Sequence, residues 1–278
     1  MRRNKILFCV GIFLVLFVVL MPMLYALSGS FHQEHVIKSG HVRLIPTEFT
    51  LENYKDLLTN TTGGTQAYVI YIKNSLIVAI GTCVLSLCIS VLAAYGLARY
   101  HLPFKETIAK VMLFLYVFPT ILSIYPIYSI LAKLHLTNTY LGLILVHTAL
   151  VSPFCTWFLR SFFATIPIEI EEAARVDGAN NFHIIIKILL PLTSAGLLAA
   201  GMYSMIYSWG EMIFASILID SANLKTTPIA LAGFMDHGNQ RWGLLLAGSV
   251  LNILPLMIAF IPFLKNFLKG FMEGAVKG

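Results

Sequence analysis

Long apolar blocks separated by short polar joints set the rhythm of this chain. Six blocks stand out, at about 6–28, 69–97, 107–132, 139–163, 190–219 and 242–267. A helix rising 1.5 Å per residue crosses roughly 30 Å of hydrocarbon in about 20 residues, so each block predicts one transmembrane helix. Two blocks carry a charge, Lys73 at the start of the second and Glu211 in the fifth. A charge costs about 2.5–3.5 kcal/mol near mid-bilayer and each apolar residue contributes about −0.3 to −0.6 kcal/mol, so some twenty apolar residues outweigh one charge. The first block follows Arg2, Arg3 and Lys5 as a signal peptide would. Its apolar run is longer than the roughly 7–15 residues of a secretory h-region, so a retained transmembrane helix is expected.

Composition agrees with the pattern. Hydrophobic residues fill 58% of the 278 positions and charged ones 12%, where a soluble domain carries about a quarter charged. The expected fold class is an all-α polytopic membrane protein, one transmembrane domain over 1–278 embedded in lipid. The net charge of +6 comes from Lys and Arg at block ends, with no basic run interleaved with aromatics, so nucleic acid is not an expected partner. Twelve of the 19 basic residues fall in the N-terminus, the 99–110 and 160–187 connections and the C-terminus, and seven on the opposite face. By the positive-inside rule both termini and the connection 164–190 are expected in the cytoplasm. A polar stretch at 28–67, a tight turn near 136–138 and a loop at 221–241 then lie outside.

The chain lacks the residues that chemistry would need. It has no GxxxxGK followed by Ser or Thr, no HExxH, no nucleophile elbow and no carboxylate pair in a soluble pocket. No catalysis, no bound metal and no cofactor of its own are expected. Cys9, Cys83, Cys88 and Cys155 all fall inside apolar blocks without ligand spacing, which favours packing roles over a disulfide framework or zinc.

The connection 164–190 is different in kind. Thr165 is expected to cap a short helix with Pro167 in its first turn and Glu169, Glu171 and Glu172 complementing its dipole. Gly178 supplies a left-handed stop, and Asn180 or Asn181 caps the next helix. Ala173, Ala174 and Ala179 keep the helix thin, while Glu172, Arg175 and Asp177 offer charges for orientation. A plain solvated amphipathic loop is the alternative on composition alone. The ordered pattern E-A-A at 172–174, D-G-A at 177–179, then Phe182, Lys187 and I-L-L-P at 188–191 resembles the EAA loop of bacterial ABC importer permeases. That resemblance implies a type I ABC importer permease fold with six spans, and a helix that docks in a groove of an ATP-hydrolysing subunit. Glu172, Ala173, Ala174, Asp177, Gly178 and Ala179 would be the ATPase-coupling residues.

Other segments resemble the carbohydrate branch of these permeases, as in maltose and multiple-sugar importers. They are Thr50-Leu51-Glu52-Asn53-Tyr54, Asn74-Ser75, Pro228, Trp242-Gly243 and the tail 270–278. The resemblance implies a permease subunit for a di- or oligosaccharide, working with a second homologous permease, two ATP-binding cassette subunits and an extracytoplasmic sugar-binding protein. ATP and magnesium would sit on the cassette subunits, with Lys277 and Gly278 near that interface and the 221–241 loop reaching toward the binding protein. Such permeases commonly carry Trp-Asn-Glu in the fifth span. Here Trp209-Gly210-Glu211 stands instead and removes an amide from the outer pathway.

A sugar in a channel meets aromatic rings on its CH faces and amides or hydroxyls at its hydroxyls. The candidates are Asn74, Tyr116, Tyr125, Tyr128, Trp157, Tyr203, Tyr207, Trp209, Glu211 and Asn252. Packing or an interface belt is the alternative for each aromatic. Glu211 reads either as a rim carboxylate or as a polar residue at an outer gate, and His147 as a hydrogen-bond partner of a neighbouring helix. Pro119, Pro126, Pro153 and Pro255 are expected as kinks. The nearest rival is the same architecture serving glycerol phosphate, a polyamine or phosphate. A secondary transporter driven by an ion gradient is the rival from another class, and it would want a mid-bilayer relay beyond Glu211 and His147.

Overall fold

The computed structural model describes the backbone of residues 2–46, 48–59, 67–235, 238 and 240–275, and side chains within those ranges from 8 to 261. All regular structure among them is helical. α1 (Arg2–Gly29) leads through α2 (Glu34–Lys38) and α3 (Glu52–Thr59) to the 32-residue α4 (Tyr68–Arg99). α5 (Lys105–Val117) and α6 (Ile124–Lys133) flank a 3-10 turn, and α7 (Tyr140–Ala164) continues through Pro153. The polar connection holds α8 (Ile168–Val176), α9 (Asn181–Ile184), a π-helical stretch at Ile185–Leu189 and α10 (Leu190–Leu192). Then come α11 (Ser194–Gly210), α12 (Ile213–Leu218), α13 (Thr227–Gly233) and α14 (Trp242–Ala275).

Among the described residues four helices are long and apolar enough to cross a membrane, at Phe8–Gly29, Tyr68–Arg99, Tyr140–Ala164 and Trp242–Ile261. Each coincides with an expected span. The third and fifth spans depart from expectation, because each is a bent pair rather than one helix. Lys105–Val117 and Thr120–Lys133 meet at 93°, and Asn181–Leu192 and Ser194–Gly210 at 87°. Counting each pair as one span gives six. The first bend follows from Pro119, which disfavours the helical region for the residue before it, and Phe118 is extended (φ −61, ψ 133). At the second, Thr193 leaves helical geometry (φ −104, ψ 20) just after Pro191, which has no N–H to donate. Pro126, Pro153 and Pro255 lie inside continuous helices.

The chain divides into two compact units, Met1–Ile72 with Thr227–Pro255, and Lys73–Thr226 with Leu256–Gly278. In the first unit Leu57, Tyr68, Tyr71, Phe234, Leu244 and Ala247 form the core. Here the family-like Glu-Asn-Tyr stretch is structural. The Asn53 amide donates to the Ser30 and His32 carbonyls, both at 2.9 Å, and the Tyr54 and Ser30 hydroxyls pair at 2.7 Å. The Glu34 carboxylate accepts the Trp242 and Gly243 N–H groups at 3.0 and 2.7 Å. Those are orphan donors at the start of α14, which a carboxylate satisfies while complementing the helix dipole.

In the second unit α7 is the central helix, packed against α5, α11 and α12. Val91, Tyr95, Val151, Leu159, Phe163, Ile184 and Leu189 are buried together with Cys155. Small residues let the helices approach closely, as membrane packing requires. Gly81 faces Ile144, and Gly201 faces Leu87 and Cys83. The Ser86 hydroxyl donates to Ser204 at 2.9 Å, and Ser204 also meets the Cys155 thiol at 3.3 Å. Cys155 is thus a packing residue and Cys83 is half-buried, whereas Cys9 and Cys88 are exposed on the chain's apolar exterior. That exterior is extensive, since none of the spanning window of α1 is buried within the chain, against 44% for α7.

Candidate functional site

The polar connection between α7 and α11 folds into a knob with one anchored side and one open side. α7 ends at Ala164, and Thr165 is its C-cap, with its hydroxyl donating to the Phe162 carbonyl at 2.7 Å. The expected role of Thr165 as N-cap of the next helix is therefore corrected. Pro167 occupies that position, and α8 starts at Ile168 with Glu169 and Glu171 in its first turn. Gly178 stops α8 as the sequence predicts, with φ +86. The Gly178 N–H reaches the Arg175 carbonyl at 3.0 Å and the Ala179 N–H the Ala174 carbonyl at 2.9 Å, the paired bonds of a Schellman stop. The Asn180 side chain then accepts the His183 N–H at 2.8 Å and starts α9, which decides between Asn180 and Asn181 as the cap. Asn181 instead donates to the Tyr100 hydroxyl at 3.0 Å.

The three acids of α8 separate sharply. Glu169 and Glu172 are exposed, and Glu171 is fully buried. The Glu171 carboxylate pairs with the Arg99 guanidinium and accepts from the Tyr95 hydroxyl at 3.3 Å and from Arg175 at 3.4 Å. A second Arg99 nitrogen donates to the Ile166 carbonyl at 2.9 Å. This anchor escapes sequence reading, although Arg175 four residues after Glu171 is a helix-pair signal for it.

On the open side stand Glu172, Ala173, Asp177 and Gly178, all exposed, with Ala174 and Ala179 half-buried behind them. Apolar side chains share that surface, with Val176 87% and Phe182 68% exposed. An open cavity of about 390 Å³ is lined by Ala174, Asp177, Gly178, Ala179, Asn180, His183 and Ile188. The six residues expected to couple to a partner are thus brought together on one knob.

The expected pathway residues do not form one site. Tyr116, Tyr203 and Tyr207 gather with Phe154, whose ring lies 5.0 Å from Tyr116 and 4.5 Å from Tyr203, and Trp157 packs on Phe154 at 6.2 Å. Tyr125 and Tyr128 are exposed on α6. Trp209 is buried, with no acceptor for its Nε1 among the described residues, and the Asn252 side-chain oxygen is likewise buried without a partner there. The Asn74 amide is wholly used, donating to the Asn223 and Lys225 carbonyls, both at 2.8 Å, and accepting the Tyr140 hydroxyl at 2.6 Å. The Glu211 side chain is largely covered, with 8% of it exposed. Its carboxylate lies 3.1 Å from the His147 Nε2 and accepts the Phe214 and Ala215 N–H groups at 2.9 and 3.0 Å. Lys277 and Gly278 lie outside the described residues.

The chain is similar to known proteins along most of its length. Residues 86–267 match the family described as the binding-protein-dependent transport system inner membrane component. A probable ABC transporter permease protein, YurM of Bacillus subtilis, is 35% identical over 97% of this chain and 87% of its own. The trehalose/maltose transport system permease protein MalG of Thermococcus litoralis is 31% identical over 99% of this chain and 98% of its own. Among solved structures, a chain of a bacterial ABC transporter involved in import of the acidic polysaccharide alginate superposes with a TM-score of 0.78 at 21% identity, covering 96% of both chains. That superposition bears out the expected all-α permease fold.

Proposed function

The chain belongs to the binding-protein-dependent transport system inner membrane component family, and from that premise we propose that it is the permease subunit of an ATP-driven sugar importer. Residues 1–278 act as one permease, lining half of a pathway for a di- or oligosaccharide beside a second, homologous permease. Two ATP-binding cassette subunits hold ATP and magnesium and perform the hydrolysis, and an extracytoplasmic protein delivers the sugar. The uneven distribution of Lys and Arg supports a cytoplasmic location for both termini and for the α8–α9 knob, where a cassette subunit can reach it.

The observation that carries this reading is the knob itself. Val176 and Phe182 are the most exposed large apolar side chains of the connection, on the same short segment as the exposed Glu172 and Asp177, and the Gly178 turn lies between them. A rigid surface with an apolar centre and a charged rim is what a protein partner binds. Sugar as the cargo is supported by the trehalose/maltose relative and by the aromatic, uncharged surface of Tyr116, Tyr203 and Tyr207, where a phosphorylated solute would call for cationic side chains.

The test uses the assembled transporter. Gly178→Pro cannot adopt the left-handed turn and deletes the N–H that closes it, and Glu172→Lys inverts an exposed charge. Both are expected to lose the cassette subunit on co-purification and to abolish ATP-dependent sugar uptake. Unchanged association and uptake would overturn the docking role, and uptake sustained by an ion gradient without the cassette subunit would replace the importer with a secondary transporter.

A further inference from the structure

α4 is tied to a different element at each end. Arg99, its last residue, binds Glu171 of α8 and the Ile166 carbonyl that precedes α8. Toward the other end, Asn74 binds the Asn223 and Lys225 carbonyls of the 3-10 loop before α13. The two anchor points are separated by 25 residues of continuous helix, about 38 Å at 1.5 Å per residue.

The Arg99 end is built to transmit force rather than to fill space. Glu171 is fully buried, so its carboxylate depends on the three donors that face it from α4 and α8, Arg99, Tyr95 and Arg175. Charge-assisted bonds of this kind are the stronger ones, and a partner withdrawn from a buried pair leaves an uncompensated charge. Arg99 also engages both sides of the Pro167 bend, the Ile166 carbonyl before it and Glu171 after it. The bend therefore cannot flex without breaking a bond to α4. By contrast Glu172 and Asp177 stand exposed.

We infer that Arg99 and Glu171 are positioning residues that join the docking knob rigidly to α4, making α4 a rod that carries displacement of the knob to the Asn74-bound loop. The inference rests on the proposed docking role of α8. It adds that docking and transmission are separate functions of adjacent acids, with Glu172 facing the partner and Glu171 facing the rod. When the cassette subunit moves the knob, α4 follows because the Glu171 pair is stiffer than the connection around Pro167. The loop held by Asn74 then responds at the far end.

The test is made in the assembled transporter. Glu171→Gln and Arg99→Gln are expected to retain the cassette subunit and its ATP hydrolysis while uptake per ATP falls roughly tenfold, the scale of ordinary coupling free energies. The charge exchange Arg99→Glu with Glu171→Arg is expected to recover part of that loss. A folded-sample control combines Arg99→Cys with Glu171→Cys in a chain whose four native cysteines have been replaced. That variant is expected to be uncoupled until a thiol cross-linker restores its uptake. Undiminished uptake per ATP in both single variants, or no recovery on cross-linking, overturns the rod. If those variants behave normally while Gly178→Pro still sheds the cassette subunit, the rod fails and the docking role stands. Retention of the subunit by Gly178→Pro signals failure of the docking role itself.

Discussion

His147 and Glu211 meet side chain to side chain, Nε2 to Oε2 at 3.1 Å, where α11 stops and α12 has not yet begun. The imidazole's other nitrogen lies 2.8 Å from the Ser208 hydroxyl, which in turn donates to Thr82 at 3.3 Å. On its own side Glu211 accepts the Phe214 and Ala215 N–H groups. One carboxylate thus satisfies the first donors of α12 and ties that helix to α7 through His147. A charged residue inside an apolar block, read from sequence as a rim or gate residue, is the device that allows the fifth apolar block to break without leaving backbone groups orphaned.

The pair is expected to behave as a unit. His147→Phe leaves Ser208 and Glu211 short of a partner, and Glu211→Gln turns an amide N–H toward donors, each costing about 1–3 kcal/mol for buried groups left unsatisfied. Because both changes empty the same network, the double variant should fall short of the sum of the singles by roughly 0.5–3 kcal/mol. Thermal unfolding of the purified protein in detergent reads the three values. Strict additivity would mean that the two side chains do not support each other.

Much of the frame is legible in the sequence because it depends on one variable. α1, α4, α7 and α14 are continuous apolar runs, and bilayer thickness alone dictates their length. Local chemistry made the knob readable as well, since Gly178 and Asn180 act through their own backbone neighbours. What stayed hidden depends on distant partners. Glu169, Glu171 and Glu172 are alike in composition, and it is Arg99 and Tyr95, 72 and 76 positions away, that receive the buried Glu171 together with its helix neighbour Arg175. Asn74 read as a sugar ligand for the same reason, because the carbonyls that consume its amide lie 149 and 151 positions further along. Pro119 announced a kink, but the 93° turn also needs an extended Phe118.

Asn74 offers a way to separate a structural amide from a ligand. Asn74→Asp would place a carboxylate oxygen against the Asn223 and Lys225 carbonyls, and Asn74→Ala would leave those carbonyls and the Tyr140 hydroxyl without their partner. The aspartate variant is expected to be the worse, since it adds repulsion to a loss of about 1–3 kcal/mol. Limited proteolysis should cut more readily at 221–225 in both variants. A raised KM for sugar with unchanged proteolysis would instead make Asn74 a pathway residue.

Gly142 tests the turn that precedes α7. A Cβ there would lie 2.1 Å from the Leu136 carbonyl oxygen, a backbone atom that cannot swing aside. The same oxygen accepts the Thr139 hydroxyl at 2.7 Å, while Thr139 accepts the Gly142 N–H at 3.0 Å as the N-cap of α7. Leu136 sits between His135 and Asn138, both in the left-handed region with φ 55, so the turn has little freedom to retreat. Gly142→Ala is therefore expected to destabilise by roughly 1–3 kcal/mol, the range for forced overpacking. Gly96 is the control, because a Cβ there meets nothing within 4 Å. Gly96→Ala within α4 should be neutral or stabilising by up to about 1 kcal/mol. The damage at Gly142 should also travel, since Asn138 holds the Asp220 and Ser221 N–H groups and its own N–H binds the Leu218 carbonyl at the end of α12. Proteolytic cutting near 218–221 is expected to rise in Gly142→Ala and stay level in Gly96→Ala. Equal melting temperatures and equal cutting would show that the turn yields to a methyl group without disturbing α12.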